Sequence, residues 1–436
     1  MSSEPLSVII LAAGKGSRMK SAKAKVLHAI SGRPMLYHVV KAAKAISDDV
    51  TVVVAHQKEA VIDTVAALFD DIQFAVQDID SFPGTGGALM GIRPRHGKVL
   101  VLNGDMPLVT AEALEGFLHT DADIILSIFD LDDPSGYGRV VISDAGVERI
   151  VEEKDATDEE KKITHVNAGV YCFRREILEA FLPRLNNRNA QQEYYLTDII
   201  ALAREEHRCI VPLLIDEAHF KGVNSKADLE AADVLMQRRI KRHWMLSGVT
   251  MQLADTIYIE EGVTFEGECT VENGVRITGE SHIAASHIKA HSVVEDSIME
   301  RSDCGPMAHL RPGTHLVDTH IGNFVETKKA RLTGVKAGHL SYLGDAVVGE
   351  GTNIGAGTIT CNYDGKRKYK TKIGKNVFVG SDTQIVAPCE IEDNVIIAAG
   401  TTVSSKKVAS GSLAISRTPL KTVAGFFHKF FGKENA

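Results

Sequence analysis

The sequence predicts an α/β unit with a mostly parallel sheet, followed by a parallel β-helix built from hexapeptide repeats. Up to about residue 225, apolar runs rich in β-branched residues alternate with segments of helical spacing. After about residue 249, aliphatic residues recur every six positions, a period that neither an α-helix nor an ordinary strand produces. A chain of 436 residues is long enough for two or three such units.

The composition, with 44% hydrophobic and 24% charged residues, is that of an ordinary soluble globular protein. A net charge of −8 argues against a general nucleic-acid binder. The six cysteines show no C-x-x-C spacing, which argues against a zinc ribbon and a disulfide framework and predicts reduced thiols in the cytoplasm. The first apolar run is too short for a signal peptide or a membrane span, so we expect no stable membrane insertion.

The α/β unit is predicted from four apolar runs and the segments between them. Strands are expected at SVIILAA, VTVVVAH, KVLVLNGD and DIILSIFD, and helices at MLYHVVKAAKAI and EAVIDTVAALF. Strands separated by helices indicate a mostly parallel sheet with helices on both faces. Ligands of such folds bind beyond the carboxyl ends of the strands, so the loops that follow these runs are the candidate site.

After about residue 225 the sequence pattern changes from alternating strands and helices to a connecting helix and hexapeptide repeats. Residues 225–246 predict one amphipathic connecting helix, and the segment 360–372 interrupts the hexapeptide pattern and is expected to loop out. We expect the residues at the six-residue spacing to point inward: Ile373, Val379, Ile385, Ile391, Ile397 and Val403; Ile298, Cys304, Leu310 and Leu316; Val348 and Ile354; and Ile257, Val263, Cys269 and Val275. The predicted domains are residues 1–225, a linker helix 226–248, the β-helix 249–419 and a tail 420–436.

Two motifs of the α/β unit could bind an anion or a metal ion. The first strand runs into a loop with Gly14 and Gly16, and a strand, a glycine turn and a following helix would together present backbone N–H groups to an anion. Its glycines fit neither a dinucleotide fingerprint nor a Walker A loop, so a phosphate cradle and a plain surface turn both remain open. Asp105 ends a hydrophobic strand, where it is either a Mg²⁺ ligand or the cap of the next helix.

A resemblance joins these motifs. The order L-A-A-G-x-G-[ST]-R-M, K-V-L, G-T-G and G-D-x-P-L, followed by GYGRVV, IVEEKDAT, VNAGVY, EYYLTDII and GVNS, resembles the sugar-1-phosphate nucleotidyltransferases. With the hexapeptide half attached, residues 6–420 resemble the bacterial family of bifunctional N-acetylglucosamine-1-phosphate uridyltransferases / glucosamine-1-phosphate N-acetyltransferases. The resemblance implies an α/β nucleotidyltransferase with a Rossmann-like mixed sheet, followed by a left-handed parallel β-helix. It also implies Mg²⁺ as cofactor, UTP and acetyl-CoA as co-substrates, glucosamine 1-phosphate as a further substrate, and a homotrimer.

The resemblance assigns roles in the uridyltransferase half. Asp105 and Asn224 would hold Mg²⁺, Arg18 and Lys25 would counter the triphosphate charge, and Lys15, Lys20 and Lys23 would take no part. The residues that would bind UTP or the UDP-sugar are Leu11, Ala12, Ala13, Gly14, Arg18, Lys25, Gln77, Gly84, Thr85, Asn103, Gly138, Glu152 and Asn167. The last three of these would line the sugar.

It also assigns roles in the β-helix half. His339 would be the base that takes a proton from the attacking amine, and Glu326 would orient it; without the resemblance, a structural histidine in a turn would be the favoured interpretation of His339. The sugar phosphate and amino sugar would contact Arg311, Lys328, Tyr342, Asn353, Asn362 and Tyr363. Acetyl-CoA would contact Ala356, Lys368, Ser381, Ala399 and Arg417, although the basic run around Lys368 also fits a solvated loop.

Two alternative functions are considered beside this resemblance. The β-helix of a single-activity nucleotidyltransferase would be regulatory or oligomerising, and a regulatory subunit would have lost the glycine and G-D motifs that this sequence retains.

The phenylalanines of GFFHKFFGK predict a short helix, which would pack on the β-helix, on a neighbouring subunit or on a membrane surface.

Overall fold

The chain divides into two units, Met1–Gln237 and Arg238–Ala436. The computed structural model describes residues 4–417 and 419–432, so the last four residues of the predicted tail lie outside the described residues.

The first unit is built on a mixed sheet in the order β11-β7-β10-β6-β1-β4-β5, with β8 and β9 attached to β10. Strands β5, β4, β1 and β6 are parallel, and β10 runs antiparallel to both β6 and β7. The strands of the first unit, in which β2 and β3 form a separate pair, are β1 (Leu6–Leu11), β2 (Ala29–Ile30), β3 (Arg33–Pro34), β4 (Asp49–Val54), β5 (Gln73–Val76), β6 (Lys98–Asn103), β7 (Ile124–Asp130), β8 (Arg139–Ser143), β9 (Gly146–Val151), β10 (His165–Arg174) and β11 (Ile210–Leu214).

Helices cover this sheet on both sides. Along β1, Val8 and Ile10 face one hydrophobic core, which includes Leu36 of α1, whereas Ile9 faces a second core with Phe181 of α5. This alternation follows from the two-residue period of a strand, and it explains why runs buried on both faces are uniformly apolar. The helices that begin in this unit are α1 (Met35–Lys44), α2 (Lys58–Ala66), α3 (Gly84–Gly87), α4 (Glu115–His119), α5 (Arg175–Phe181), α6 (Asp198–Glu205), α7 (Glu217–Phe220) and α8 (Lys226–Leu246), and the second unit contains α9 (Phe426–Phe431).

The predicted strands and helices of this unit are confirmed as β1, β4, β6, β7, α1 and α2, and the connecting helix as α8. One local expectation is wrong. The glycine loop after β1 is followed by two short 3-10 turns, Ser17–Met19 and Lys25–Leu27, and the next α-helix begins only at Met35. An anion in this loop therefore meets turn backbone and side chains rather than the N-terminus of an α-helix.

The second unit is a left-handed parallel β-helix of short strands. Every third strand belongs to the same face: face 1 begins with β12, face 2 with β13 and face 3 with β14. The strands are β12 (Thr250–Met251), β13 (Tyr258–Ile259), β14 (Thr264–Glu266), β15 (Thr270–Val271), β16 (Arg276–Thr278), β17 (His282–Ala284), β18 (His287–Ile288), β19 (Val293–Glu295), β20 (Ile298–Glu300), β21 (Asp303–Cys304), β22 (His309–Arg311), β23 (His315–Val317), β24 (His320–Asn323), β25 (Glu326–Lys328), β26 (Arg331–Thr333), β27 (Lys336–His339), β28 (Tyr342–Gly344), β29 (Ala346–Val348), β30 (Asn353–Ile354), β31 (Ile359–Cys361), β32 (Thr371–Ile373), β33 (Phe378–Val379), β34 (Gln384–Val386), β35 (Cys389–Ile391), β36 (Ile396–Ile397), β37 (Thr402–Val403), β38 (Lys407–Val408) and β39 (Leu413–Ala414).

The inward positions follow the hexapeptide pattern with one exception. Fifteen of the sixteen predicted residues are at most 4% exposed, but Ile298 is 37% exposed and its neighbour Met299 is fully buried. The reason is coil length: Ile373 pairs with Ile391, eighteen residues on, whereas Ile283 pairs with Met299 after only sixteen. A six-residue count run backwards from Leu310 therefore passes the inward position, Met299, by one residue.

Two segments of the second unit, 360–372 and α9, do not belong to the regular coils of the β-helix. Segment 360–372 contains a small hairpin, closed by a bridge between Tyr363 and Lys368, which confirms the predicted loop. In α9 all four phenylalanines are 55–69% exposed, so this helix does not pack closely on its own β-helix. No helix among residues 4–417 and 419–432 is long and apolar enough to cross a membrane.

Candidate functional site

A cavity of about 620 Å³ lies in the first unit, beyond the carboxyl ends of β1 and β6. Parallel strands present their following loops at this edge, which is why residues distant in sequence meet here. Ten of the residues predicted for UTP or metal line it: Leu11, Ala12, Ala13, Gly14, Lys25, Gln77, Gly84, Thr85, Asn103 and Asp105.

One side of the cavity is a charged cluster around Lys25. Its ammonium Nζ lies 2.5 Å from Oδ2 of Asp105 and donates a 2.7 Å hydrogen bond to Oδ1 of Asn224. The same Asn224 oxygen accepts a 2.7 Å bond from Arg18. Gly16 makes room for this arrangement, because it has φ +60° and a Cβ there would lie 2.5 Å from the Cβ of Lys25.

Asp105 and Asn224 are positioned by their backbones. The Val223 N–H donates to the Asp105 carbonyl, and the Asn224 N–H donates to Asp228, which also accepts bonds from the backbone and hydroxyl of Ser225 at the start of α8. Burial raises the pKa of Asp228, but these hydrogen bonds outweigh it and hold the pKa below its ordinary value. The carboxylate therefore stays ionised and anchors the loop.

The opposite side of the cavity is formed by Gln77 and the G-T-G segment. The Gln77 side-chain amide donates to the carbonyls of Phe82 and Gly84, each at 2.9 Å. Gly84 has φ +93°, and a Cβ there would lie 2.7 Å from the carbonyl oxygen of Tyr194. Only glycine fits this position, so the turn that starts α3 packs closely against the Tyr194 backbone.

A second group of predicted residues joins the cavity through Asn103. Its amide donates to the Gly169 carbonyl, while the Gly169 N–H donates to the Asn167 side chain and the Asn167 N–H donates to the Gly138 carbonyl. A Cβ at Gly138 would lie 3.5 Å from the Glu152 carboxylate. Asn103, Gly138, Glu152 and Asn167 therefore form one continuous surface.

Burial raises the pKa of the Glu152 carboxyl above its ordinary value, and a 3.2 Å hydrogen bond from the Thr197 hydroxyl partly opposes this. Thr197 was not predicted, because its relation to Glu152 exists only after β9 and α6 pack together. Glu193 also lines the cavity without having been predicted, and so does Lys15, which had been expected to take no part.

The residues of the charged cluster fit a divalent metal ion. Asp105 and Asn224 present a carboxylate and an amide oxygen to the same positive centre, the Lys25 ammonium, so their oxygens already converge on a cation. In the part of the chain that the structure describes, no group of three or more His, Cys, Asp or Glu side chains forms a metal site. Mg²⁺ suits this sparse donor set, because it is commonly bound by one or two carboxylates together with substrate phosphates.

In the second unit, five predicted residues lie along one corner of the β-helix. His339 ends β27, and each of the other four follows the next strand of face 1 by two or three residues: Ala356, Ser381, Ala399 and Arg417. Arg417 donates to the carbonyl of Ala399, which ties the end of the row to the coil above it. The row is mostly exposed, and the His339 side chain has no hydrogen-bond partner among the described residues.

Face 2 meets this corner and carries the predicted phosphate ligands. Arg311 pairs in register with Lys328, and Glu326 with Tyr342. The Glu326 carboxylate accepts a 2.7 Å bond from Arg311, so it is engaged by Arg311 rather than by His339, and the expectation that it orients His339 is wrong for the described residues.

The hairpin of segment 360–372 adds to face 2. Repulsion from the nearby Lys368 ammonium lowers the pKa of Lys328 below its ordinary value, so the two positively charged groups lie close together. Asn362 donates to Asp345 at 2.6 Å, while Tyr363 is exposed and its hydroxyl donates to the Gly365 carbonyl. Asn353 lies on face 1 between Lys336 and Phe378.

Comparisons with known proteins agree with both halves. Residues 8–224 match the MobA-like NTP transferase domain, and residues 370–405 match six bacterial transferase hexapeptide repeats. The bifunctional protein GlmU of Sulfurimonas denitrificans is 62% identical over all of both chains. The proteins of the same name from Wolinella succinogenes and a Nitratiruptor species are 61% and 60% identical, over 98% of this chain and 99% of theirs. The chain belongs to the GlmU family of bifunctional proteins.

Proposed function

We propose that the chain carries out two steps of UDP-N-acetylglucosamine synthesis with two separate sets of residues. The β-helix transfers the acetyl group of acetyl-CoA to glucosamine 1-phosphate, and the α/β unit joins the product to UTP. Identity of about 60% along the whole length of proteins named bifunctional supports this, and it disfavours a β-helix that is only regulatory or oligomerising.

The observation that carries the uridyltransferase assignment is the convergence of ten predicted residues on one cavity. The sugar phosphate oxygen attacks the α-phosphorus of UTP in line, the bond from this phosphorus to the bridging oxygen breaks, and pyrophosphate leaves. Because the nucleophile is already anionic, the protein's task is positioning and charge neutralisation rather than proton removal.

Each part of the cavity has a share in that task. Backbone groups from Leu11 to Gly14 face the nucleotide, and the segment containing Gln77, Gly84 and Thr85 reads the uracil edge. Lys25 and Arg18 neutralise the triphosphate. The surface formed by Asn103, Gly138, Glu152 and Asn167 holds the sugar, with the Glu152 carboxylate accepting from its hydroxyls.

Asp105 and Asn224 would hold Mg²⁺, as their convergent oxygens allow. When bound, the ion would supply a positive charge that stabilises the phosphates.

In the β-helix, His339 accepts a proton from the amine of glucosamine 1-phosphate as the nitrogen attacks the thioester carbonyl. The carbon–sulfur bond then breaks and coenzyme A leaves as the thiol. Arg311 and Lys328, with Lys368 beside them, bind the sugar phosphate, because these groups already form a patch of positive charge.

The remaining residues of this site surround the two substrates. Acetyl-CoA lies along the row from His339 to Arg417, where Ala356, Ser381 and Ala399 offer small side chains. The amino sugar is surrounded by Tyr342, Asn353, Asn362 and Tyr363.

We further propose that the chain is a cytoplasmic homotrimer whose partners are these small molecules. The six cysteines form no disulfide, in keeping with a reducing compartment. An exposed His339 whose side chain has no orienting partner among the described residues is in keeping with a site completed by a neighbouring subunit.

Two single substitutions in the full chain test the division of labour. His339→Ala is expected to lower acetyl transfer, followed as thiol release, by about 10²–10⁴-fold and to leave uridyl transfer unchanged. Asp105→Asn is expected to do the reverse, with pyrophosphate release as the readout. Full acetyl transfer by His339→Ala would overturn the assigned base, and failure of the unaltered chain to release thiol would overturn the acetyltransferase assignment.

A further inference from the structure

Lys25 makes both of the bonds that a metal ion would make in the charged cluster. Its ammonium contacts Asp105 at 2.5 Å and Asn224 at 2.7 Å, and these are the two proposed ligands of Mg²⁺. A divalent cation bound to the same oxygens would lie beside an ammonium group. The two positive charges would repel each other strongly, because this part of the cavity is only partly exposed to water.

The lysine is held in this position from several sides. Its side chain is 13% exposed and that of Asp105 is 20% exposed, so the ion pair is largely shielded from solvent. Gly16 has no side chain, so the Cβ and Cγ of Lys25 can pack against the loop backbone. On the far side, Arg18 donates to the same Asn224 oxygen, so that oxygen already has two cationic donors.

We propose that Lys25 excludes divalent metal from Asp105 and Asn224 until UTP binds, so that metal and nucleotide bind together. The triphosphate offers the ammonium several anionic oxygens in place of one carboxylate, and a lysine side chain is flexible enough to turn towards them. Asp105 and Asn224 then become available to a metal that the same phosphates also attract. The inference rests on the proposed uridyltransferase site and adds an order of binding to it.

The test measures metal binding rather than catalysis. Mn²⁺, used in place of Mg²⁺, is titrated into the full chain without nucleotide, and free ion is followed by electron paramagnetic resonance. Lys25→Met removes the competing charge at similar length, and we expect it to bind Mn²⁺ at least 10-fold more tightly than the unaltered chain. Lys25→Gln, which keeps a hydrogen-bond donor without the charge, is expected to behave in the same way.

Lys23→Met is the matched control. Lys23 is an exposed lysine of the same loop, so this variant loses the same charge without touching the ion pair. Its Mn²⁺ affinity is expected to stay within twofold of the unaltered chain. The inference is overturned if the Lys25 variants, folded as judged by circular dichroism, bind Mn²⁺ no more tightly than this control.

A second substitution, Asp105→Asn, shows where the additional Mn²⁺ binds and distinguishes the proposed order of binding from the proposed uridyltransferase site. Adding Asp105→Asn to Lys25→Met is expected to remove the gain in affinity, and a gain that survives it would overturn the inference. Asp105→Asn alone, assayed for uridyl transfer, tests the proposed metal site itself. If it abolishes transfer while the Lys25 variants show no gain, the order of binding is wrong and the proposed function stands.

Discussion

Replacing Gly16 by alanine is expected to lower uridyl transfer about 100-fold. Gly16 has φ +60°, a left-handed conformation that costs an alanine about 1–2 kcal/mol, and the new Cβ would lie 2.5 Å from the Cβ of Lys25. Carbon atoms pack at about 3.5–4.0 Å, so Lys25 has to move by about 1 Å. Its ammonium, which lies beside Asp105 and Asn224, would then be misplaced relative to the triphosphate that it is proposed to neutralise, and a misplacement of this size can cost about 10² in rate.

The assay compares kcat/KM for pyrophosphate release and for acetyl transfer in the same preparation. Acetyl transfer is the internal standard, because it takes place in the other unit. Gly91→Ala is the matched control: Gly91 has φ +84°, and its Cβ would meet no atom within 4 Å. That variant carries the same backbone strain outside the site and is expected to keep full uridyl transfer. A Gly16→Ala enzyme whose uridyl transfer stays within threefold of normal would refute the reasoning.

Three further predictions test other contacts. Thr197→Val removes the hydrogen bond that opposes the raised pKa of Glu152, so this pKa rises further; the acidic limb of the uridyl-transfer pH profile is expected to move to higher pH, and an unmoved limb would contradict the contact. Asp228→Asn is expected to lower the free energy of unfolding by about 1 kcal/mol at pH 7, since it weakens the cap of α8. Because the pKa of Asp228 is lowered by folding, this difference should disappear as the pH falls below the ordinary carboxyl range, and chemical denaturation at both pH values checks it. Met299→Lys, at a fully buried position, is expected to destabilise the β-helix by more than about 4 kcal/mol, whereas Ile298→Lys should stay within about 0.5 kcal/mol; equal thermal unfolding of the two variants would contradict the assigned register.

The parts of the fold that sequence reasoning predicted are those in which local pattern and packing agree. β1 and β6 are continuous apolar runs because both of their faces are buried, and the inward residues from Ile373 to Val403 repeat with the coil itself. Ile298 was placed wrongly because the two coils on either side of Met299, from Ile283 and to Leu316, have sixteen and seventeen residues instead of eighteen, a difference that no single hexapeptide reveals.

The site was less accessible to prediction wherever contacts depend on tertiary packing. Glu193 lines the cavity and Thr197 contacts Glu152 only because α6 and the segment before it pack against β9 and the G-T-G turn. Lys15 was set aside because the resemblance assigns the neutralisation of the triphosphate to Arg18 and Lys25. The engagement of Glu326 by Arg311 depends on the pairing of neighbouring coils, which sequence spacing alone does not specify.

The repeat of the β-helix explains how residues spread over eighty positions come to form one row. His339 to Ala356 is 17 residues, Ser381 to Ala399 is 18 and Ala399 to Arg417 is 18, each close to one coil, so each step returns to the same corner. The step from Ala356 to Ser381 is 25 residues, and its excess over one coil, 25 − 18 = 7, is the hairpin of segment 360–372. That insertion leaves the stack intact, since β29 still pairs with β32 and β31 with β34, and it brings Lys368 to Lys328. The regular coil therefore aligns the row proposed for acetyl-CoA. The hairpin that interrupts this row adds the positive charge of Lys368 to face 2, which meets the row at the corner of the β-helix.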